Sequence, residues 1–321
     1  MQTSQWQDFD NGVSAKVNEI IDNTADMVPG FLGTGLWKSV KADSISYNTE
    51  GVSGLGYLQI FDENSSIKED ETSPQYKTNY VPKSFGTIVS ISQLLMETRD
   101  SELENKLDEV KQARIAANMT QEQHAWQVLV DGFSTSDSDS NFPISRLSDA
   151  VSMFSTAHPS RVSGIANRSN RIASNPVLSE TSIFSGIKMI REQLNGRGKL
   201  MGSIGGFTLV VPPALEKDAQ IFTNSVKRPG TADNDLNFYD GLVTTVVAPR
   251  VGAAAGGSDT AWFLFSNNAM NLAMRYVYLI EPKIEKQSNF RTKAIDVSID
   301  GAWAMGYSSF ESCAGSDGSG S

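Results

Sequence analysis

Apolar side chains recur along this chain in two rhythms, and the switches between them outline its elements. Phe9, Val13, Val17, Ile20 and Ile21 fall at helical spacing, predicting a short amphipathic helix that stops before Pro29 and Gly30. From Trp37 to Ile60 the chain turns Gly-rich and extended, with Ile45, Tyr47, Val52, Leu55, Tyr57, Leu58 and Ile60. A polar insert, Asp62 to Ser73, carries Lys68-Glu69-Asp70-Glu71, and an extended pattern resumes through Tyr76, Tyr80, Val81, Phe85, Ile88, Val89 and Ile91. Two extended runs around a charged tip predict a long hairpin arm. A lone two-stranded hairpin is marginal in water, so an arm of about 40 residues needs a surface to lie on. That surface is either the rest of the chain or another subunit.

Beyond the arm the helical rhythm returns. Leu103, Leu107, Val110, Arg114 and Ala117 predict a helix over Ser101 to Asp131, closed by Gly132. At 1.5 Å per residue it would run roughly 45 Å. Thr120 and Gln123 form a candidate capping box, so a kink or restart is expected near Asn118. A polar loop follows at Ser134 to Asn141, then a mixed stretch to Phe154 and a basic, polar one from His158 to Asn175. Ile183, Ile187, Ile190 and Leu194 predict a second helix, capped by Ser179 to Ser182. Phe207 to Val211 reads as a buried strand, and Pro213 opens a short helix bearing Leu215, Ala219 and Phe222. Strands are expected at Leu242 to Val247, Trp262 to Phe265, Tyr276 to Pro282, Ala294 to Ile299 and Ala302 to Tyr307, before a flexible Gly/Ser tail from Cys313 to Ser321. Strands and helices mix without regular βαβ alternation, which makes the fold class α+β.

Composition narrows the function. With 321 residues, 39% hydrophobic, the chain can bury a sizeable core. Its net charge of −10 argues against a sequence-reading nucleic-acid binder, whose affinity comes from Lys and Arg on phosphates. No apolar run reaches the roughly 18 residues of a membrane span, and the first residues lack the pattern of a secretory signal. One cysteine excludes an intrachain disulfide, and two histidines leave little for a structural zinc. A soluble chain folding in a reducing cytoplasm is expected.

Reactive motifs fail on inspection. Gly30-Phe-Leu-Gly33-Thr-Gly35 lacks the strand-turn-helix setting of a dinucleotide site, and Gly196-Arg-Gly198-Lys199 lacks the phosphate-loop spacing. Asp137-Ser-Asp139-Ser-Asn141 opens like a calcium loop but has Phe142 where glycine is needed. His124 sits among helical residues and His158 before Pro159 in a loop, with no nucleophile elbow to serve. The acidic run Glu69 to Glu71 reads as a solvated tip. No catalytic residue, cofactor or metal site is expected.

An ordered series of motifs then carries a resemblance. Lys83-Ser-Phe-Gly-Thr-Ile-Val-Ser-Ile-Ser92 is followed by Leu94-Leu95-Met96 and a long helix ending Val130-Asp131-Gly132-Phe133. Next come Phe154-Ser-Thr-Ala-His158-Pro159, Leu178-Ser-Glu-Thr-Ser-Ile183 and Phe207-Thr-Leu-Val-Val-Pro-Pro-Ala-Leu-Glu216. In order and spacing this series, within Trp37 to Phe310, resembles the major head protein of tailed bacteriophages, in particular the Mu-like head-subunit group. Asp149-Ala150 stands where that family often has Asp-Gly.

The resemblance implies the Hong-Kong-phage capsid fold. It would comprise an N-terminal arm and helix (1–44), an extended β-hairpin loop (45–85), a peripheral domain with a long spine helix (86–133), an axial α+β domain (134–274), peripheral return strands (275–312) and the tail (313–321). It also implies a non-enzymatic subunit forming pentamers and hexamers of an icosahedral head around double-stranded DNA, assembled in the host cytoplasm. Its partners would be copies of itself, with scaffold, portal and decoration proteins and non-specifically contacted DNA, and no membrane. Inter-subunit contacts are expected from Tyr57, Leu58, Ile60, Lys68, Glu69, Asp70, Glu71 and Lys77 on the arm. The alternatives are an encapsulin-type shell around protein cargo and a cytoplasmic α+β enzyme. Covalent Lys–Asn cross-linking, found in one branch of the fold, has no marker here.

Overall fold

A computed structural model of the chain describes residues 19, 29–52, 58, 60, 63, 69, 70, 72–92, 94, 95, 101–225, 236–267, 273–289 and 291–320. The helix expected around Phe9 to Ile21 lies outside the described residues, Glu19 apart. In chain order the principal elements are β1 (Trp37–Lys41), β2 (Tyr47–Val52), β3 (Pro74–Tyr80), β4 (Lys83–Ser92), α1 (Ser101–Val130), β5 (Ile144–Ser145), α2 (Glu180–Arg191), β6 (Phe207–Val211), α3 (Glu216–Asn224), β7 (Val243–Val247), β8 (Trp262–Ser266), β9 (Met274–Asn289), β10 (Ala294–Tyr307) and β11 (Cys313–Ser316). They form two compact units, each gathered from separate stretches of chain: Met1–Gly30, Pro82–Gln123 and Tyr278–Trp303 in one, and Phe31–Val81, His124–Val277 and Ala304–Ser321 in the other.

In the first unit β4 and β10 pair antiparallel from Ala294↔Ser92 to Trp303↔Lys83. The four-three spacing of Leu103, Leu107 and Val110 stacks these side chains on one face of α1. There they pack against Ile91, Ile295 and Val297. The Arg114 guanidinium closes the contact further along by donating to the Pro282 carbonyl at 3.1 Å. The expected restart near Asn118 does not occur, and α1 is continuous through Val130. The Thr120 hydroxyl donates back to the Ala116 carbonyl at 2.7 Å, a local bond compatible with an unbroken helix.

The second unit is built on a sheet of order β11-β8-β6-β7. β6 runs parallel to β7, while β8 is antiparallel to both β6 and β11. α2 begins at Ser179, whose hydroxyl accepts the Ser182 N–H while the Ser182 hydroxyl accepts the Ser179 N–H, a reciprocal capping box. Ile183, Ile187 and Ile190 bury against Leu209, Trp262 and Leu264. Gly186 lets the helix come close, since a Cβ there would sit 3.2 Å from the Leu264 side chain. Side chains alternate across a strand. Phe263 accordingly faces the other way, into a cluster with Phe133 and Phe154 at centroid distances of 5.7 and 5.2 Å.

The flexible tail expected from Cys313 is corrected by the structure. Cys313–Ser316 is a fully buried strand in register with Phe265 to Trp262. Its glycine and serine content reflects crowding, not mobility: a Cβ on Gly315 would lie 2.7 Å from the Phe154 ring. The Ser316 hydroxyl donates to the Pro176 carbonyl at 2.8 Å. The two strands expected at Ala294 to Ile299 and Ala302 to Tyr307 form one continuous strand through Gly301.

Candidate assembly surface

The arm pairs as the two extended runs suggest. β2 and β3 are antiparallel from Tyr47↔Tyr80 to Glu50↔Lys77, with an irregularity before Val52↔Pro74. Its root is fixed within the second unit. Ser148 donates its N–H to the Lys77 carbonyl at 2.9 Å and accepts the Lys77 N–H on its hydroxyl at 3.1 Å. The buried Thr78 hydroxyl donates to the Tyr307 carbonyl at 2.9 Å. The Arg161 guanidinium reaches the Gln75 carbonyl at 3.3 Å and lies over the Tyr76 ring.

Of the eight contact residues expected on the arm, Leu58 and Ile60 are 97% and 99% exposed. Glu69 and Asp70 are exposed, and Asp70 pairs with Arg197 of its own chain at 2.5 Å. Lys77 is exposed and held through its backbone. Tyr57, Lys68 and Glu71 lie outside the described residues. The described residues are therefore not gathered into one cluster. They divide into an uncovered apolar pair and a charged segment tied to the Arg197 turn.

Further uncovered apolar side chains stand on the second unit. Phe184 on α2 and Phe238 are about half exposed and meet edge-to-face at 6.1 Å. The segment bearing Phe238 is held firmly: the Asn237 amide donates to the Phe222 and Ser225 carbonyls at 2.7 Å each, and the Tyr239 hydroxyl to the Glu180 carbonyl at 2.6 Å. Leu236 and Ile204 are 83% and 90% exposed. Large rigid apolar groups left in water on a folded unit mark interaction sites.

The polar interior holds an arrangement that the sequence reading missed. His158, expected in a loop before Pro159, is fully buried between Asp149 and Asn170. The Asn170 amide nitrogen donates to the Met153 carbonyl at 2.8 Å, and its oxygen accepts the Ser155 N–H at 2.9 Å, which fixes its orientation. The same oxygen lies 3.0 Å from His158 Nε2, so Nε2 carries a proton and donates. Nδ1 lies 2.7 Å from Asp149 Oδ2, with one proton completing that bond. The imidazole stacks on Phe310 at 3.7 Å. Arg168 lies over the same ring at 4.6 Å and pairs with Glu311 at 2.9 Å. An Asp–His pair invites comparison with a general base, but here Nε2 is spent on Asn170 and the pair is closed to solvent. The cluster pins the 149–158 segment, the 168–170 segment and the stretch leading into β11 to one another. The signal that could have found it lies in the Phe154-Ser-Thr-Ala-His158-Pro159 motif itself, whose histidine sits nine residues after Asp149.

Neither of the remaining candidate groups is poised for reaction. His124 is buried and its Nε2 donates to the Pro143 carbonyl at 3.1 Å. Burial lowers its pKa from 6.5 to about 4, with the Pro143 bond opposing part of the shift. Burial pushes the Cys313 thiol up to about 12, leaving it inert. Among the described residues no group of three or more His, Cys, Asp or Glu is placed to hold a metal ion, and no helix is long and apolar enough to cross a membrane.

The family profile for phage capsid protein matches residues 75–310, from the root of the arm to the stretch before β11. The chain belongs to the phage capsid protein family. A capsid protein works by contact with its own kind, so this one is a structural protein of a virion shell. Its α+β fold is shared by solved phage capsids. It is similar to a chain of Mycobacterium phage Patience at 10% identity, covering 94% of this chain and 86% of that one with a TM-score of 0.51. It is similar also to a chain of the head of Helicobacter pylori bacteriophage KHP40 (9% identity, 87% of each chain, TM-score 0.50) and to one of the capsid of cyanophage P-SCSP1u (12% identity, 87% and 85%, TM-score 0.50). No protein of curated function matches the sequence.

Proposed function

We propose that this capsid protein is the major head subunit of a tailed phage of the Mu-like group, closing as pentamers and hexamers into an icosahedral shell around double-stranded DNA. The observation that carries this reading is the arm. Leu58 and Ile60 stand almost wholly in water on a protein whose family builds shells. Burying each fully would contribute roughly 1.5–3 kcal/mol, and in a shell that gain repeats at every subunit. In this reading 45–85 is the extended loop lying on an adjacent subunit, 86–133 and 275–312 form the peripheral domain around the spine helix, and 134–274 with β11 forms the axial domain. Glu69 and Asp70 would act at the rim of the same contact. The net charge of −10 suits a DNA container, because an acidic lining repels the packaged polyanion and leaves it mobile. Scaffold, portal and decoration proteins are the expected further partners, and the host cytoplasm the site of assembly. Electron microscopy of the purified full chain tests the reading. Closed shells are expected, and a population of small featureless oligomers under all assembly conditions would overturn it.

A further inference from the structure

Within the second unit, large apolar side chains stand in water on firmly held backbone at two places. The first is the aromatic pair on α2. Phe184 and Phe238 are 49% and 53% exposed, and Leu236, two residues before Phe238, is 83% exposed. Two half-exposed rings leave about 150–250 Å² of aromatic surface uncovered, and Leu236 brings the patch to the few hundred Å² that mark an interaction site. The second is a loop tip. Ile204 is 90% exposed between Gly202 and Gly205, both at positive φ, with Leu200 and Met201 behind it at 54% and 38%. The base of this loop is pinned: Met201 donates its N–H to the Gln193 carbonyl at 2.9 Å, and the Ser203 and Ser266 hydroxyls lie 2.7 Å apart. A tip held in place before it binds loses little freedom on binding.

The two places are distinct surfaces of the unit. The Arg191 guanidinium lies 5.5 Å over the Phe207 ring, which sets the end of α2 beside the start of β6, and Ile204 stands three residues before that start. Phe184 is seven residues before Arg191, about 10 Å back along the helix. The Tyr239 bond to the Glu180 carbonyl holds Phe238 near the same first turn. Their charges differ as well. The tip's loop, 194–206, carries Arg197 and Lys199 and no acid, with Arg197 offset by Asp70. The patch segments, 179–188 and 236–241, carry Glu180 and Asp240, while their one base, Lys188, is offset by Glu192 at 3.9 Å. Tip on tip, or patch on patch, would set like charges face to face, whereas tip on patch brings opposite signs together. A contact between two different surfaces propagates head to tail and makes rings when the rotation closes.

We propose that Ile204 of one copy seats against Phe184 and Phe238 of a second copy, head to tail, as the apolar centre of the contact that closes a capsomer ring. This deepens the shell reading and rests on it, by naming the residues through which ring neighbours meet. Cross-linking tests it in the full chain under assembly conditions, since the native Cys313 is buried. The double variant Ile204→Cys/Phe238→Cys is treated with a short bis-maleimide, quenched and run on denaturing gels. A ladder of covalent oligomers ending at the closed ring is expected, with no dimers from either single variant. Dimers from a single variant, which would mean that like surfaces meet, overturn the proposal, as does a double variant that stays monomeric. Closed shells without a ladder would sink this contact and keep the shell reading, whereas a ladder from rings that never form shells would do the reverse. A second measurement needs no cysteines. Ile204→Asp should raise the protein concentration needed for assembly at least about tenfold. Adding Phe238→Lys should recover most of that loss, because head-to-tail contact sets each new aspartate against a new lysine. Unchanged assembly of Ile204→Asp, or no recovery in the pair, would overturn it.

Discussion

β11 and the described residues of the arm invert each other. Cys313–Ser316 is made of small and polar residues and is entirely buried, whereas Leu58 and Ile60 are large, apolar and almost wholly exposed. Small residues sit inside where rings such as Phe154 already fill the space, and a strand can pass only if it brings little of its own. The large ones sit outside, and in the proposed shell their cover would come from another molecule. Composition here reports how much room a segment finds around it, and in the proposed shell part of that room would be made by neighbours.

The sharpest way to break that contrast is to charge the arm. Leu58→Asp with Ile60→Asp is expected to abolish closed shells by electron microscopy and leave the unfolding free energy of the isolated chain, from denaturant titration, within about 0.5 kcal/mol of wild type. A large loss of stability would mean that their cover lies within the chain. On the buried side, His158→Ala strands the Asp149 carboxylate and removes the ring beneath Phe310, so chemical denaturation should show a loss of about 3–5 kcal/mol.

Acid probes the same interior through His124. Its pKa is lowered to about 4 in the folded chain from 6.5, so the unfolded chain binds the extra proton across that interval. Stability should therefore fall as pH drops from about 6.5 to about 4, by about 3 kcal/mol, and His124→Gln should flatten that slope in a pH series of thermal melts. Gly315→Val drives a side chain into the Phe154 ring and should cost about 1–3 kcal/mol by the same denaturation assay. Smallest of all, Arg197→Ala removes a partly exposed ion pair with Asp70, and a loss of only about 0.2–1 kcal/mol is expected.

What could be read ahead of the structure follows the same division. The four-three spacing of Leu103, Leu107 and Val110 located α1, and Ser179 located the start of α2, because both signals are local. The arm's paired strands were legible as two extended runs around a charged tip. β11 was not, since nothing within Cys313–Ser316 announces the Phe154 ring that dictates its small side chains. The His158 cluster was equally hidden: its partners lie nine residues before and twelve after, and only the folded loop brings them together. The restart foreseen near Asn118 failed because Thr120 had a nearer acceptor in the Ala116 carbonyl.

The interleaved construction of the two units has a practical corollary. Each is assembled from three pieces of the sequence with the other's pieces in between. No single uninterrupted fragment cut from the gene would encode a complete copy of either, so dissecting this protein calls for rejoining or co-expressing separate pieces, not truncation. It also means that the earliest-synthesised strands must wait for distant ones, the kind of long-range closure that makes a polypeptide slow to reach its native form.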